Sequence, residues 1–463
     1  MSSIEVTSPF DGSVVGTVPF KTYEEVQAAI DLAEATFLDH KNALPAHKRV
    51  EILEKVAEIM SGQIDELTKL CASEGGKPWA DSVVEVHRAI NGIKLAIEAL
   101  GAREGKQIAM GHTASSANRM AYTFKEPIGV VAAISAFNHP LNLAVHQIIP
   151  ALAVGCPVVI KPATQTPMSA IRMVEILEEA GLPNGWAQAV VCDRKAGELL
   201  ATSPKISALT FIGSGAVGWY LNSKVAPGTR VALEHGGVAP VIVEADADID
   251  DLIPSIGKGG FYHAGQVCVS VQRVFVHESI CDEVASRLSE YASKLVVGDQ
   301  LDPKTEVGPL INNNEVNRVE EWVNEAKEKG GKILTGGNRI SASCYEPTVI
   351  LNPADDALVS TKEVFGPVVC IYTYSDIEEA FDRANALEVS FQAAVFTKNI
   401  DTALKAVKRL SGTAVMVNDH TAFRVDWMPF GGANASGLGM GGIHHSMIEM
   451  SKEKLMVIKS SVL

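Results

Sequence analysis

The sequence lacks several features that would place it in a specialised class of protein. It contains no C-x-x-C pair, and its seven cysteines are scattered over positions 71, 156, 192, 268, 281, 344 and 370. Neither a disulfide framework nor a zinc site is therefore predicted, and we expect no bound metal. No apolar run reaches the roughly 18 residues that a membrane-spanning helix needs.

Positive charge is also scarce. The chain has 40 Lys and Arg residues against 55 Asp and Glu residues, which gives a formal net charge of −15. A surface that binds nucleic acid or an anionic membrane needs clustered positive charge, so we expect neither partner. The N-terminal residues MSSIEVTSPFDGSVVG do not combine a basic stretch with an apolar one, so no secretory signal is predicted and we expect a cytoplasmic protein.

What the sequence does contain is typical of a packed globular enzyme. It has 463 residues, of which 47% are hydrophobic and 21% are charged. This length predicts two or three domains. The first hundred residues predict helices with little strand: Thr22 and Glu25 form a T-x-x-E capping box, and residues 46–61 and 82–100 have a helical apolar spacing.

From Gly129 onward, short apolar runs alternate with helical segments. The first predicted strands are Val130–Ile134, Pro157–Ile160, Ala187–Val191 and Ala208–Ile212. This alternation is typical of βαβ units that build a parallel sheet buried on both faces. It resumes after Glu234 and continues to about Val417, so the sequence predicts two α/β units that join near Gly236–Gly237, with the active site between them.

Three segments contain residues that could catalyse a reaction at a carbonyl carbon. Cys268, in FYHAGQVCVS, could act as a nucleophile, and Glu234, in VALEHGG, could act as a general base. Asn138, in AISAFNHPLNL, could donate to an oxyanion. Considered singly, an inert core thiol, a surface charge at a strand end and a turn residue are the commoner interpretations.

Two further segments suggest a nucleotide. Lys161 leaves a predicted strand in VVIKPATQTP, and the carboxyl ends of such strands are where nucleotides bind. Residues 213–218, GSGAVG, match G-x-G-x-x-G, and Glu234 lies at the distance expected for a ribose-binding acid. The residues alone therefore leave two roles open for Glu234.

Together these segments resemble the aldehyde dehydrogenase superfamily in order and spacing, from SPFDGSVVGTVP to PFGGANASGLG at 429–439, over essentially the whole chain. The resemblance implies an aldehyde dehydrogenase-like α/β fold with two parallel-sheet domains and a small β oligomerisation element. The implied divisions are a cofactor-binding domain (1–104 and 128–235), a catalytic domain (236–446) and oligomerisation strands (105–127 and 447–463). It also implies a homodimer or homotetramer.

The resemblance implies a role for each catalytic candidate. Cys268 matches the nucleophile of a GQxC motif, Glu234 matches the base of an LELGG motif, and Asn138 matches the oxyanion-holding asparagine. The implied reaction is NAD(P)-dependent oxidation of a small aldehyde to its acid through a cysteine thioester. Because relatives that pass the acyl group to coenzyme A typically lack the glutamate, hydrolysis is favoured over a CoA-acylating semialdehyde dehydrogenase. A non-catalytic structural or nucleotide-binding protein of the same fold is the other alternative.

The resemblance also implies how the cofactor is held. A GSxxVG turn takes the place of a Rossmann fingerprint, Lys161 bonds the adenosine ribose, and Glu363 and Phe365 of EVFGPVV position the nicotinamide ribose and ring. The full implied set is Ile134, Ser135, Phe137, Lys161, Thr164, Gly197, Gly213, Ser214, Val217, Glu363 and Phe365. Thr164 stands where NAD-specific members usually carry Glu, which removes a carboxylate that would repel a 2′-phosphate, so we predict that NADP is accepted.

The substrate side rests on the stretch NDHTAFRVDWMPFGG. The candidate wall residues are His139, His420, Phe423, Arg424 and Trp427. Arg424 could pair with an anionic group of the aldehyde, or it could form an internal ion pair, for example with Asp426. The FRxDxMPFGG form is similar to lactaldehyde and phosphonoacetaldehyde dehydrogenases.

Overall fold

The computed structural model describes residues 2–41 and 43–463 of the chain. The strands of this part are β1 (Ser2–Thr7), β2 (Val14–Phe20), β3 (Gln107–Ile108), β4 (Arg119–Pro127), β5 (Val130–Ile134), β6 (Val158–Lys161), β7 (Ala187–Ala189), β8 (Ile206–Ile212), β9 (Arg230–Glu234), β10 (Pro240–Val243), β11 (Arg273–His277), β12 (Lys332–Thr335), β13 (Thr348–Leu351), β14 (Val368–Tyr374), β15 (Val389–Ser390), β16 (Gln392–Phe396), β17 (Ala414–Val417), β18 (Ala433–Asn434), β19 (Gly437–Leu438) and β20 (Ser451–Lys459).

The helices lie between these strands. They are α1 (Tyr23–Leu38), α2 (Ala46–Gly62), α3 (Ile64–Gly75), α4 (Trp79–Gly101), α5 (Pro140–Val154), α6 (Met168–Glu179), α7 (Arg194–Thr202), α8 (Gly215–Asn222), α9 (Ile249–Phe261), α10 (Glu278–Lys294), α11 (Asn313–Glu328), α12 (Leu358–Thr361), α13 (Ile377–Ala384), α14 (Ile400–Arg409) and α15 (Ile443–Glu449).

The N-terminal region confirms the predicted capping box and corrects the prediction of little strand. The Glu25 amide donates to Thr22 Oγ1 at 3.2 Å, and the Thr22 amide donates to Glu25 Oε2 at 2.8 Å. Ahead of this cap, β1 and β2 form an antiparallel pair. The pair was missed because most of its side chains face solvent, so its apolar alternation is weak; Val6 and Val18 are its buried members.

The first large sheet has the strand order β19-β9-β8-β5-β6-β7. Its five longer strands are parallel, and β19 joins its edge in the antiparallel direction. Strands such as β5, with the sequence VVAAI, are continuous apolar runs because helices cover both faces. The carboxyl ends of β5, β6, β8 and β9 therefore meet at one edge of the sheet, where ligands of such folds bind.

The second large sheet has the order β12-β13-β14-β11-β10-β16-β17, and only β12 among these described strands runs antiparallel to its neighbour. A separate apolar core surrounds it. Two parallel-sheet α/β layers with a small antiparallel sheet are the fold that the sequence predicts.

The small antiparallel sheet has the order β20-β4-β3. It is formed by the segments 105–127 and 447–463, whose part in subunit contacts stays a prediction. Four consecutive apolar side chains of β20 are between 41% and 54% exposed: Leu455, Met456, Val457 and Ile458.

The C-terminal part of the predicted catalytic range also returns to the first sheet. Strand β19 pairs with β9, with Gly437 opposite Glu234 and Leu438 opposite Leu233. Helix α15 then buries Ile443 and Met447 in the core that covers one face of that sheet. Among the described residues, none of the helices has the length and apolar composition that crossing a membrane would require.

Candidate active site

A cavity of about 370 Å³ lies where the carboxyl ends of β5, β8 and β9 face the loop that follows α9. Its wall brings together the three predicted catalytic residues, Asn138, Glu234 and Cys268, from three distant stretches of the sequence. A thiol, an amide and a carboxyl group from distant parts of the sequence therefore belong to the wall of one cavity.

The Asn138 amide is held in place by the loop that carries the nucleophile. Its Nδ2 atom donates to the Gln266 carbonyl oxygen at 2.8 Å. The Gln266 side chain is itself fixed, because Nε2 donates to the Pro309 carbonyl and Oε1 accepts from the Ile311 amide. An amide NH2 has two hydrogens, so one N–H of Asn138 remains for a ligand.

The chain before Cys268 follows an unusual backbone path. His263, Ala264 and Gly265 have φ angles of 50°, 53° and 69°, the left-handed region that only glycine enters without strain. A Cβ atom at position 265 would lie 2.1 Å from the Gly366 carbonyl oxygen. The GQVC segment thus packs directly against the EVFGPVV segment, which explains the glycine of this motif.

Cys268 differs from the other cysteines in its surroundings. All seven are free thiols in the part of the chain that the structure describes, and Cys268 is half-buried whereas the other six are buried. Burial raises the pKa of the Cys268 thiol to about 12; Glu363 and Glu234 add to the rise, and Arg424 opposes it. Formation of the thiolate therefore needs a nearby proton acceptor.

Glu234 ends β9 with its carboxyl group in the same cavity. A Cβ atom on Gly441 would lie 2.3 Å from Glu234 Oε1, so the carboxyl group packs against the backbone of the C-terminal loop. Burial raises the pKa of Glu234 to about 6, and Arg424 opposes the rise. Such a group is ionised at neutral pH yet basic enough to accept a proton from water.

Most of the predicted cofactor-binding residues line the same cavity: Ile134, Ser135, Phe137, Gly213, Ser214, Val217, Glu363 and Phe365. Phe137 and Phe365 meet edge to face, with ring centroids 5.7 Å apart. Burial raises the pKa of Glu363 to about 8, with Arg318 opposing.

The remaining three cofactor candidates lie nearby and outside the cavity wall. Lys161 pairs with Ile134 across the β5–β6 ladder. A Cβ atom on Gly197 would lie 2.9 Å from Lys161 Cδ, so the lysine stem packs on α7. Thr164 is exposed in the turn after β6. Lys161, Thr164 and Gly197 therefore lie near the carboxyl end of β6, outside the cavity wall.

His235, which the sequence analysis did not select, fills the space beside the GSGAVG turn. Its Nδ1 atom bonds the Gly213 carbonyl oxygen at 3.0 Å. A Cβ atom on Gly218 would lie 2.0 Å from His235 Cε1, so this close packing requires the glycine. The only sequence signal was its place between Glu234 and the glycine pair.

On the substrate side, two of the five predicted wall residues line the cavity. They are His139 and Arg424. His139 Nε2 lies 2.6 Å from the hydroxyl oxygen of Tyr262, a cavity residue that the sequence analysis missed. Arg88 and Asn142 also line the wall and were missed. Arg88 comes from helix α4, far from any recognised motif, and Asn142 lies in the AISAFNHPLNL segment, where only Asn138 was selected.

The other three wall candidates are placed elsewhere. Within residues 2–41 and 43–463, the cavity wall includes none of His420, Phe423 and Trp427. Phe423 and Trp427 are 42% and 59% exposed, and His420 packs against Gly259 of α9. The loop is irregular, so only some of its side chains point inward, and its inward members are Ala422, Arg424 and Phe430.

The internal ion pair considered for Arg424 is formed by other residues. Asp426 accepts from Arg88 Nε at 3.1 Å and from Arg88 Nη2 at 2.7 Å, and it lies 2.8 Å from His146 Nε2. Among described residues, no carboxylate forms an ion pair with Arg424. Its guanidinium instead lies over the Phe430 ring, 3.5 Å from the centroid.

A model of the Aldehyde dehydrogenase family matches residues 1–456. A 3-sulfolactaldehyde dehydrogenase from Priestia aryabhattai is 39% identical over 456 residues, which cover 98% of this chain and 94% of the relative. A lactaldehyde dehydrogenase from Methanocaldococcus jannaschii is 38% identical over 460 residues, which cover 98% of this chain and 97% of the relative. The crystal structure of a glyceraldehyde-3-phosphate dehydrogenase from the same organism, complexed with NADP, is similar with a TM-score of 0.94 and 36% identity, covering 99% of each chain.

Proposed function

This chain belongs to the aldehyde dehydrogenase family, and from that premise we propose that it oxidises a small anionic aldehyde to the carboxylic acid. Its activity is NAD(P)-dependent aldehyde oxidation. The observation that carries the finer assignment is the position of Arg424, a cation in the wall of the cavity that holds Cys268 and Glu234.

The reaction begins at Cys268. Its sulfur adds to the aldehyde carbon, and the thiol proton passes to water in the cavity, so that Glu234 stays ionised for the later hydrolysis. The carbonyl oxygen becomes an oxyanion, which accepts from the free N–H of Asn138 and from the Cys268 backbone amide. These donors stabilise charge that develops only as the bond forms.

The residues around the cavity fit a nicotinamide cofactor. Within the described ranges, the buried Ser135 Oγ and Glu363 Oε1 atoms have no hydrogen-bond partner, so they are available to ribose hydroxyls. When bound, a nicotinamide would supply the hydride acceptor that converts the adduct on Cys268 into a thioester. Gly213, Ser214 and Val217 would hold the phosphates and Lys161 the adenosine ribose.

Hydrolysis of the thioester completes the cycle. Glu234 removes a proton from water, the hydroxide adds to the thioester carbon, and the C–S bond breaks to release the acid and the Cys268 thiolate. The presence of Glu234 at the cavity supports water over coenzyme A as the acyl acceptor.

The anionic group is assigned to the end of the cavity lined by Arg424 and Arg88. A guanidinium with no carboxylate partner in a half-buried wall is stabilised by an anion that arrives with the substrate. The names of two similar proteins, a 3-sulfolactaldehyde and a glyceraldehyde-3-phosphate dehydrogenase, denote aldehydes with such groups. Lactaldehyde, in the name of a third, lacks one.

A pair of aldehydes of equal chain length tests the proposal. Succinic semialdehyde carries a carboxylate where butanal carries a methyl group, and we expect a higher kcat/KM for the former. Arg424→Ala should raise KM for the semialdehyde by at least about tenfold, the loss of one charge-assisted hydrogen bond, and should change KM for butanal little. Arg424→Lys keeps the charge and serves as the matched control. Equal kcat/KM values for the two aldehydes in the unaltered enzyme would contradict the anionic assignment.

We also propose the domain division and assembly that the resemblance implies. Residues 1–104 and 128–235 form the cofactor-binding domain, and residues 236–446 form the catalytic domain. Residues 105–127 and 447–463 join subunits into a homodimer or homotetramer, which the exposed apolar side chains of β20 support.

A further inference from the structure

We propose that His146 is a positioning residue that keeps the charge of Arg424 free for the anionic group of the substrate. The inference rests on the proposed function. His146 lies in α5, behind the cavity wall, and is 6% exposed. It reaches the substrate only through Arg424.

The hydrogen bonds of His146 determine its tautomer. Its Nε2 atom lies 2.8 Å from Asp426 Oδ1. Because an ionised carboxylate can only accept, the ring hydrogen must lie on Nε2. Nδ1 then has a lone pair, which accepts from Arg424 Nη2 at 3.4 Å. The imidazole therefore presents a neutral acceptor to Arg424.

Two arginines, Arg88 and Arg424, lie near the single carboxylate of Asp426. Asp426 supplies one negative charge, and Arg88 binds both of its oxygens. Although burial alone would raise it, hydrogen bonds from His146 and Arg88 hold the pKa of Asp426 well below its usual value. Arg88 is thus paired directly with the carboxylate, whereas Arg424 interacts with Glu234 and Asp426 electrostatically but forms no ion pair with either of them in the described part of the chain.

The imidazole adds no charge of its own. Burial lowers the pKa of His146 to about 4, with Arg424 adding to the fall and Asp426 opposing it. A carboxylate in the place of this ring would bind Arg424 directly and cancel its charge. The neutral ring instead holds Arg424 by one long hydrogen bond.

The remaining surroundings of Arg424 restrict its orientation. The Phe430 ring lies under the guanidinium at 3.5 Å. The buried Arg424 Nε atom has no partner in the described part of the chain. Stacking and one hydrogen bond therefore set the plane of the guanidinium while leaving N–H donors for a ligand.

Steady-state kinetics of His146 variants with succinic semialdehyde and butanal test the inference. His146→Leu removes the acceptor and the donor, so Arg424 is free to turn toward Asp426. We expect KM for the semialdehyde to rise at least about tenfold and kcat/KM for butanal to stay within about twofold. His146→Gln can donate to Asp426 and accept from Arg424, and should restore most of the preference. His87→Leu, at an exposed histidine beside Arg88, is the control.

The outcomes separate the inference from the proposed function. If the unaltered enzyme prefers the semialdehyde and Arg424→Ala removes that preference, but His146→Leu retains it, the inference is wrong and the proposed function stands. If the unaltered enzyme shows no preference, both fail. An equal fall in kcat/KM for both aldehydes in His146→Leu would indicate a merely structural role and would also contradict the inference. The butanal rate reports folding, and His146→Met repeats the test if the leucine variant does not fold.

Discussion

Glu234 is buried in the wall of the cavity that also contains Cys268, and its ionisation should set the pH dependence of thioester hydrolysis. The base acts only when ionised, and its pKa is raised to about 6. Hydrolysis should therefore be retained above about pH 6 and fall below it. Glu234→Gln should give a burst of NAD(P)H in rapid-mixing experiments followed by a steady-state rate reduced by a factor on the order of a hundred. An undiminished steady state would remove the base role.

Thr164 should influence the choice between NADP and NAD. It is exposed in the turn after β6, at the strand edge where Lys161 lies. Thr164→Glu would place a carboxylate near a 2′-phosphate, and repulsion of about 1 kcal/mol or more should raise KM for NADP at least about fivefold. KM for NAD should change little. Thr164→Gln, similar in size and uncharged, is the control; a matching rise with Gln would show that size matters and charge does not.

The residues that sequence analysis found and missed differ in a physical way. Cys268, Glu234 and Asn138 stand in short motifs whose chemistry is visible in the residue types. Arg88 and His146 act through Asp426, which is distant in sequence, so their contacts arise only from packing. The inward or outward direction of side chains in an irregular loop has no period, so the sequence could not show that Phe423 and Trp427 are exposed and lie outside the wall of this cavity.

At the scale of elements, helix α5 depends on a buried ion pair. Glu85 accepts from the Leu141 and Asn142 amides at 3.0 Å each, at the beginning of the helix, and from Lys77 Nζ. Both charged side chains are 1% exposed. The carboxylate thus satisfies amides that the helix leaves unpaired and balances the buried lysine.

Removing this carboxylate should unfold the protein more easily. Glu85→Gln leaves Lys77 charged and buried, so we expect a loss of about 3 to 5 kcal/mol in the free energy of unfolding measured in urea. Glu51→Gln breaks an exposed pair with Lys48, which water already screens, so the free energy of unfolding should change far less. Similar losses for the two variants would contradict a special role for the buried pair.

The elements that sequence could predict are those with strong periodicity. Four buried strands of the first parallel sheet, β5 to β8, were predicted individually from their apolar runs, and for the second sheet the sequence indicated only the continued alternation of strands and helices. Strand β19 has two residues, one of them glycine, and no sequence pattern distinguishes it from a turn. Strand β19 pairs with β9 only because the fold of the intervening chain brings the two segments together.

At the scale of the whole molecule, β20 should determine assembly. Leu455 and Val457 are 54% and 49% exposed on one face of the strand, and Met456 and Ile458 are on the other. In the homodimer or homotetramer that we propose, replacing both members of a face with Asp should separate the subunits if that face is buried between them. Sedimentation velocity over a concentration series measures the mass. An unchanged mass for both double variants would exclude this sheet from the subunit contact.

Strand β19 and helix α15, near the end of the sequence, pack in the sheet and core that the first half of the chain forms. A polypeptide severed at the glycine pair after β9 would give an N-terminal piece without the sixth strand of its sheet and without the Ile443 and Met447 side chains that complete its core. The C-terminal piece would in turn display those residues to water. Neither piece should be stable alone, and the two should recover activity only when they are produced together.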